Sequence, residues 1–445
     1  MSEQRIIMHK AIMMGAVMLS VVALPFSVKI THGAIIAVLI NWAAEGKWRT
    51  KLFTLRNSLL LQLLIMMFAL QVIGLAFSDQ LVSGWFSLEK KVFFLLLPVA
   101  LATTAIKLDQ KEVKWIFTSF VTACLAGTII CLVNAWHEAQ FIMAGNTAIN
   151  PYFSAPLYFE LHEGASTNWL LFSYLGLSKG IGIHPTYFSL FLAFCVIFLL
   201  TEFPLIRSRI KKTGVLMLLL YFVAFIMFLS SRIVILGLAV IFIFILVKSV
   251  RERQRTFAVI AVAITFVFAS LMYVNPVTRY RNLQEIDTTT FEIKPGHHYT
   301  NAARIRTSLW WLALKSLSHA NPLVGAGTGD VQHVMSNTSH VFRISNVIDS
   351  SDPHNEYLYT LLANGIPALL VLIFNLLLPA CWAWAAKDFL VLGFIFLISL
   401  AGMTESVLEL QKGIVFYAVV SGLLFYHTHS FQTISINFRA LRVGQ

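Results

Sequence analysis

The chain has few charged residues and few cysteines for its length. Only 12% of its 445 residues are Asp, Glu, Lys or Arg, against about 25% in soluble globular proteins. Hydrophobic residues make up 58%. This composition excludes an ordinary soluble domain and is typical of a protein that lies in a lipid bilayer. The four cysteines fall inside apolar stretches, where a thiol behaves as a small hydrophobe, so no disulfide framework is predicted.

Acidic motifs are also scarce. No Asp-x-Asp sequence occurs, and the first predicted outer turn, from Lys29 to Gly33, contains no carboxylate. This argues against a metal-dependent mechanism that uses a nucleotide sugar. The predicted spans lack the Asp, Glu or Lys relay that is expected of an ion-coupled transporter. We therefore expect no metal and no cofactor, and we disfavour a carrier.

Apolar stretches of about the 20 residues that a bilayer requires recur along the chain. They predict an all-α, polytopic membrane protein with about twelve transmembrane helices. The first stretch follows Arg5 and Lys10 but lacks a convincing cleavage site, so we interpret it as a retained helix. The predicted spans lie near residues 11–28, 30–44, 57–77, 91–106, 114–135, 184–203, 213–229, 233–247, 256–274, 366–385, 388–403 and 413–427.

The net charge of +12 reflects membrane topology. If the N-terminus is cytoplasmic, 20 of the 33 lysines and arginines fall on the cytoplasmic side, six in short outer segments and seven in one long outer loop. This asymmetry follows the positive-inside rule and predicts that both termini are cytoplasmic. Nucleic acid is therefore not an expected partner, whereas membrane lipids are.

The spans and loops divide the chain into five segments. Two outer segments are too long to be simple turns, and functional residues are expected there. The second of them should contain amphipathic helices, one of which covers Ala302 to Ser318. The segments are 1–135 (N-terminal helices), 136–183 (first long outer loop), 184–274 (central helices), 275–356 (large outer loop) and 357–445 (C-terminal helices and tail).

His354 is the candidate general base. Asp352 followed by Pro353 is typical of a helix N-cap with proline at the first helical position, which places His354 in the first turn. There the positive end of the helix dipole would keep the imidazole neutral. The alternative is a surface histidine that only helps to cap the helix.

Arg232 lies at the outer tip of an apolar hairpin, on the side where short segments carry few cations. An arginine that reaches to the lipid surface is one interpretation, and a phosphate ligand is the favoured one. Arg304 and Arg306, in the predicted loop helix, either anchor that helix at the interface or bind an anion. His184 precedes Pro185 at the start of a span, so it either contacts substrate or has a structural role.

Four motifs together resemble the O-antigen ligase and O-antigen polymerase superfamily of bacterial integral membrane glycosyltransferases. The likeness covers about residues 180–430, while the N-terminal part agrees only in topology. The motifs are Ser-Ser-Arg232-x-x-x-Leu236, Arg306-x-x-x-Trp310, Asn321-Pro-Leu-Val-Gly-Ala-Gly327, and Asp352-Pro-His-Asn-Glu-Tyr-Leu358 leading into Asn364-Gly-Ile-Pro367.

The resemblance implies an enzyme of the bacterial inner membrane whose active site faces the periplasm. Its donor would be a glycan on undecaprenyl diphosphate and its acceptor the lipid A-core oligosaccharide. Carried over by position, His354 becomes the catalytic base and Arg232 and Arg306 become diphosphate ligands, with Arg304 as a close rival to Arg306. His184, Asn355 and Trp310 are further candidates for substrate binding. No metal or cofactor is implied.

Other functions remain open at this point. A polymerase that extends the glycan, or a protein O-oligosaccharyltransferase, would share the same site. A flippase or other carrier of lipid-linked glycans belongs to a different class, and it should survive the loss of His354 because it needs no base. One sequence does not distinguish these acceptors or identify the sugar repeat.

The charge asymmetry generates a topology prediction. In a variant without native cysteines, a cysteine introduced at Asn337 should react with a membrane-impermeant reagent in intact spheroplasts, because the segment 275–356 is expected outside. A cysteine at Gln254 should react only after the membrane is opened. Labelling of Gln254 without labelling of Asn337 would reverse the predicted orientation.

Overall fold

A computed structural model of the protein describes residues 3–143, 167–252, 255–279, 281, 293, 302–318, 320–344 and 352–426. These residues are mostly helical, and among them the only β-type pairing is an isolated bridge between Asn321 and Gly325. The helices are α1 (Glu3–Ala23), α2 (Val28–Ala44), α3 (Trp48–Asn57), α4 (Leu59–Leu75), α5 (Leu81–Thr103), α6 (Gln110–Met143), α7 (Thr167–Leu171), α8 (Tyr174–Ser178), α9 (Pro185–Glu202), α10 (Arg209–Leu229), α11 (Arg232–Arg251), α12 (Arg255–Val274), α13 (Pro276–Arg279), α14 (Ala302–Leu317), α15 (Val331–Val341), α16 (Glu356–Ala386), α17 (Phe389–Ala401) and α18 (Gln411–Ser421). Short 3₁₀ segments cover Lys179–Ile181 and Phe203–Leu205, and a π-type turn covers Gly422–Tyr426.

The all-α class is confirmed for the described residues, and each of the twelve predicted spans coincides with a helix. Within this part of the chain, six helices are long and apolar enough to cross a membrane. A seventh is reached if α3 and α4, which meet at an angle of 89°, count as one span. The protein is thus a helical, multi-pass membrane protein, while the number of twelve crossings remains a prediction.

Two helix boundaries differ clearly from the prediction. Helix α5 begins at Leu81, ten residues before the predicted span, and α6 continues to Met143, beyond the predicted end at 135. Both added stretches carry polar side chains, which a hydropathy pattern assigns to loops although a helix tolerates them. Residues 144–166 of the first long loop lie outside the described residues.

The chain forms two compact units that do not follow the five predicted segments. Unit 1 consists of Met1–Phe120 and Phe291–Gln445, and unit 2 consists of Val121–Thr290. The predicted segments describe membrane topology rather than compactness, so the division into five stays a prediction.

In unit 1, the glycine-containing loop that follows Asn321 packs on a break in α16. Gly365 has φ 76° and ψ −173°, which are not helical values, so α16 is interrupted there. The Ile366 amide donates to the Pro322 carbonyl at 2.8 Å, and the Ala326 amide donates to the Leu362 carbonyl at 2.7 Å. A β-carbon on Gly325 would lie 2.5 Å from the Ala363 carbonyl carbon. The glycines thus permit a close approach between two backbone segments of the chain itself.

The same loop is tied to two further helices of unit 1. Thr328 Oγ1 donates to the Gln71 carbonyl at 2.6 Å and accepts from Asn364 Nδ2 at 2.8 Å. The Asp330 carboxylate accepts from the backbone amides of Asp79 and Gln80, both at 2.9 Å, just before α5 begins. These bonds hold the loop, the start of α5 and the break in α16 together.

The amphipathic loop helices form a small hydrophobic core on the first part of α16. The predicted helix from Ala302 to Ser318 is confirmed as α14. Its buried face packs with α15 and with the end of the first segment of α16, which fixes α14 beside the residues that precede α16. The core consists of Leu309, Leu312, Ala313, Val331, Met335, Ile344, Leu362 and Ala363.

The break in α16 yields a stability prediction. Gly365→Ala should destabilise the protein, because alanine disfavours a φ of 76° and its β-carbon would lie 2.6 Å from the Leu323 carbonyl carbon. The strained backbone alone costs about 1–3 kcal/mol. The measurement is the thermal unfolding midpoint in detergent. Gly214→Ala is the matched control, since no atom lies within 4 Å of the added carbon, and it should not lower the midpoint. Equal midpoints for both variants would contradict the account.

Candidate active site

The candidate site in unit 1 lies where the chain enters α16. His354 precedes this helix and has a left-handed backbone with φ 45°. Its Nδ1 lies 3.3 Å from Oε2 of Glu405, a residue of the segment between α17 and α18. The His354 side chain is 38% exposed and that of Glu405 only 6%. The imidazole therefore meets a buried carboxylate at Nδ1, and its side chain is partly accessible.

Glu405 also binds an arginine of the loop helix. Arg306 Nη2 donates to Glu405 Oε1 at 2.6 Å, so the two carboxylate oxygens hold two different cationic groups. The Nε of Arg306 is buried and has no hydrogen-bond partner among the described residues. Glu405 thus fixes one edge of the guanidinium, and the Nε donor is left unsatisfied among the described residues.

The segment that carries Glu405 is held against the start of α16. Asp352 Oδ1 accepts from the His354 amide at 2.7 Å and from Ser406 Oγ at 2.5 Å. The Glu356 amide donates to the Gly402 carbonyl at 2.7 Å, and the Glu356 carboxylate accepts from the Leu408 amide at 2.8 Å. Polar bonds therefore connect residues 402–408 to residues 352–356 on both sides of the His354–Glu405 contact.

The predicted helix start at Asp352 is wrong. The N-cap of α16 is Asn355, and the helix begins at Glu356. Asp352 instead forms a turn with its own chain through the amide of His354. An aspartate followed by proline favours such turns as strongly as it favours a helix N-cap, and Asn355 is an equally good cap.

The protonation expected for His354 also changes. The hydrogen bond with Glu405 raises the pKa of His354 above its ordinary value. Burial and Arg306 act in the opposite direction, and the charges of Glu405 and Asp352 add to the increase. The helix dipole was expected to keep this imidazole neutral, but the nearby carboxylates outweigh it. The neutral form needed for a base is therefore less populated at a given pH than in an ordinary histidine.

The structure places Arg306, rather than Arg304, in the His354 cluster. Residues two apart on a helix point to different sides, so the two arginines cannot face the same group. Trp310 lies one turn after Arg306, on the same side of α14. Its indole Nε1 is buried without a hydrogen-bond partner among the described residues, which leaves a donor beside Arg306.

Asn355 has structural contacts at both ends of its amide. Oδ1 accepts from the amides of Tyr357 and Leu358, both at 3.0 Å, and Nδ2 donates to the Met403 carbonyl at 2.9 Å. It therefore caps α16 and holds the 402–410 segment. These bonds account for Asn355 without a substrate contact.

A buried ion pair lies close to this site, although the sequence indicated none. Lys91 of α5 pairs with Glu409, and each side chain is about 5% exposed. The Lys90 ammonium donates to the Glu409 carbonyl at 3.3 Å. Buried charge therefore does occur beside the apolar helices, so a lack of it does not disfavour a carrier. The hydropathy pattern missed the pair because Lys91 is the first residue of a predicted span and Glu409 lies between two spans.

Two other candidates lie in unit 2. Arg232 is the first residue of α11 and follows the N-cap Ser231, at the tip of the α10–α11 hairpin as predicted. A cation at a helix N-terminus is opposed by the dipole, which favours a role with an anion. His184 is the N-cap of α9 and accepts from the Thr186 amide at 3.4 Å. The structural interpretation of His184 is therefore sufficient.

The described part of the chain shows no metal site built from carboxylate and histidine side chains. Among the described residues, no group of three or more His, Cys, Asp or Glu side chains is placed to hold a metal ion. Metal independence remains a prediction.

The fold and the site define a multi-pass membrane protein with a histidine, a carboxylate and an arginine grouped at the start of α16. Residues 215–373 match the family model described as O-antigen ligase. This confirms the resemblance and supports an enzyme of the O-antigen ligase and polymerase type. The match includes Arg232, Arg306 and His354 but ends before Glu405. No curated protein matches the chain.

Sequence reasoning missed Glu405 because it lies in a short segment between two apolar helices. The available signal was composition: Thr404-Glu405-Ser406-Val407-Leu408-Glu409 places two glutamates in a chain with only 21 acidic residues. Carboxylates are costly next to a membrane and tend to be retained for a partner or a function.

The Glu405 contact predicts a measurable titration. His354 should titrate above about 6.5, the ordinary histidine value, because the carboxylate stabilises the imidazolium. Glu405→Gln should lower this pKa. Histidine side-chain NMR of the ¹³C-labelled protein in detergent measures it, with the resonance assigned by its loss in His354→Gln. Identical titration of His354 in wild type and Glu405→Gln would show that the contact is absent.

Proposed function

We propose that the protein transfers a glycan from undecaprenyl diphosphate to the lipid A-core oligosaccharide at the periplasmic face of a bacterial inner membrane. The observation that carries this proposal is the Glu405 carboxylate, which binds both His354 and Arg306. It brings a base and a cation together outside the apolar helices. The match to the O-antigen ligase family supports the class of donor and acceptor.

His354 acts as the general base in this proposal. When Nδ1 donates its proton to Glu405, Nε2 has a free lone pair and faces away from the carboxylate. A hydroxyl of the acceptor sugar approaches this nitrogen. Its oxygen bonds to the anomeric carbon of the donor as its proton passes to Nε2. Glu405 stabilises the imidazolium that results.

Arg306 acts on the leaving group. The bond between the anomeric carbon and the diphosphate oxygen breaks, and its electron pair leaves with the lipid diphosphate. Negative charge therefore grows on the diphosphate in the transition state, and a preorganised guanidinium stabilises it. The Nε of Arg306 and the indole N–H of Trp310 have no hydrogen-bond partner among the described residues, and we assign these buried donors to the diphosphate. Arg232 keeps its sequence-based assignment as a diphosphate ligand.

No step in this scheme requires a metal ion, because arginine supplies the positive charge and histidine accepts the proton. Transfer is therefore expected to continue in excess chelator.

The acceptor is tested by the lipopolysaccharide of a deletion strain. Loss of a ligase should leave core without a ladder of O-antigen bands, while lipid-linked polymer accumulates. Core bearing a single repeat would indicate a polymerase instead. Absence of periplasmic lipid-linked glycan would indicate a carrier.

The assignment of the base generates a kinetic prediction. His354→Ala should lower the rate of transfer by about 10²–10⁴-fold, because the acceptor hydroxyl loses its proton acceptor. Donor affinity should change much less, since arginine provides most of the diphosphate contact. Transfer rate and donor dissociation constant are measured separately on detergent-purified protein with chelator present. His333→Ala, at another loop histidine, is the control and should retain activity. Near-normal transfer by His354→Ala would remove His354 from the mechanism.

A further inference from the structure

Unit 2 contains a buried arginine for which the proposed function has no role. Arg281 is 4% exposed, and among the described residues it is the only arginine buried to this degree. Its guanidinium lies 3.5 Å from the centre of the Tyr174 ring. No carboxylate of the described residues forms an ion pair with it, and its Nε has no hydrogen-bond partner there. Among the described residues this buried cation therefore has no carboxylate partner, a state that is costly unless a counter-charge is supplied.

The backbone that leads to Arg281 is held firmly. Asn275 Oδ1 accepts from the amides of Val277 and Thr278 at 3.0 and 3.1 Å. Asn275 Nδ2 donates to Ser173 Oγ at 3.1 Å, next to Tyr174. Asn275 and Ser173 are buried, and their bond connects the residues before the arginine to those before the tyrosine.

Tyr174 has a strained backbone. Its φ is 49°, a value that bulky residues rarely adopt. Its ring also meets the His184 ring edge-on, with centroids 6.1 Å apart. Strain of this kind persists only where surrounding contacts enforce it, and it is frequent at ligand sites. Here it places an aromatic face under the guanidinium.

A second arginine lies near the same end of unit 2. Thr278 Oγ1 is 2.8 Å from Ser230 Oγ, which brings the segment before Arg281 to the tip of the α10–α11 hairpin. Arg232 begins α11 two residues after Ser230, so the positive end of that helix dipole adds to the field. Two guanidinium groups and a helix N-terminus together favour a polyvalent oxyanion.

We propose that Arg281, supported by Tyr174 and accompanied by Arg232, forms a binding site in unit 2 for a phosphate or diphosphate ester. The N–H groups of the Arg281 guanidinium bind phosphate oxygens, while the flat face of the guanidinium stays on the Tyr174 ring. The ester comes either from the lipid-linked glycan donor or from a phospholipid headgroup. Only in the first case does the site rest on the proposed function.

Binding of inorganic diphosphate tests the site directly. The full-length protein is placed in nanodiscs of phosphatidylcholine, and ³²P-labelled diphosphate is titrated. Arg281→Lys keeps the charge, so the fold should tolerate it, yet it should weaken binding about tenfold or more because the ammonium lacks the fork. Tyr174→Phe keeps the ring and should bind as wild type does. The matched control is Arg209→Lys, at an exposed arginine at the other end of α10.

Competition then identifies the source of the ester. Displacement of the label by undecaprenyl diphosphate, but not by added phosphatidylglycerol, assigns the donor; the reverse assigns a phospholipid. Either result supports the site. If wild type does not bind diphosphate, or if Arg281→Lys binds it equally well, the inference is overturned and Arg281 is a cation held by Tyr174 alone.

This binding assay needs no transfer reaction. Arg281-dependent binding in a protein without transferase activity would refute the proposed function and keep the site. Glycan transfer together with Arg281-independent binding would support the proposed function and refute the site.

Discussion

The candidate site depends on the sharing of one buried carboxylate between two cationic groups. Glu405 accepts from Arg306 at one oxygen and contacts His354 at the other. A carboxylate removed from water is costly unless it is paired, and here both partners come from outside its own segment. Pairing with Glu405 therefore brings the loop helix α14 and the residues before α16 close together. Removal of Glu405 would leave an arginine and a histidine with no shared partner.

The rest of unit 1 holds the elements that carry these three residues. The break at Gly365 separates the first segment of α16 from the apolar remainder, and the loop from Asn321 packs into that break. Helix α14 then packs through its apolar face on the first segment, which fixes Arg306. Asp352 and Glu356 bind the segment that contains Glu405. The glycine and proline motifs therefore build the support of the site.

Much of the fold could be predicted from hydropathy alone, because each apolar stretch of sufficient length became a helix. The helix start before Glu356 was placed wrongly, since Asp352 and Asn355 are both good caps and only tertiary contacts decide between them. The contacts of Glu405 and the Lys91–Glu409 pair did not follow from the sequence pattern, because they join residues 51, 99 and 318 positions apart. The pKa of His354 followed from that missing contact.

The most direct test of the shared carboxylate is the pH dependence of glycan transfer in wild type and Glu405→Gln. If Glu405 raises the pKa of the base, the rate of wild-type transfer should increase with pH through a pKa above the ordinary histidine range. In Glu405→Gln this rise should occur at lower pH, and the plateau rate should fall because the imidazolium loses its carboxylate. A rise at the same pH in both proteins would contradict the account.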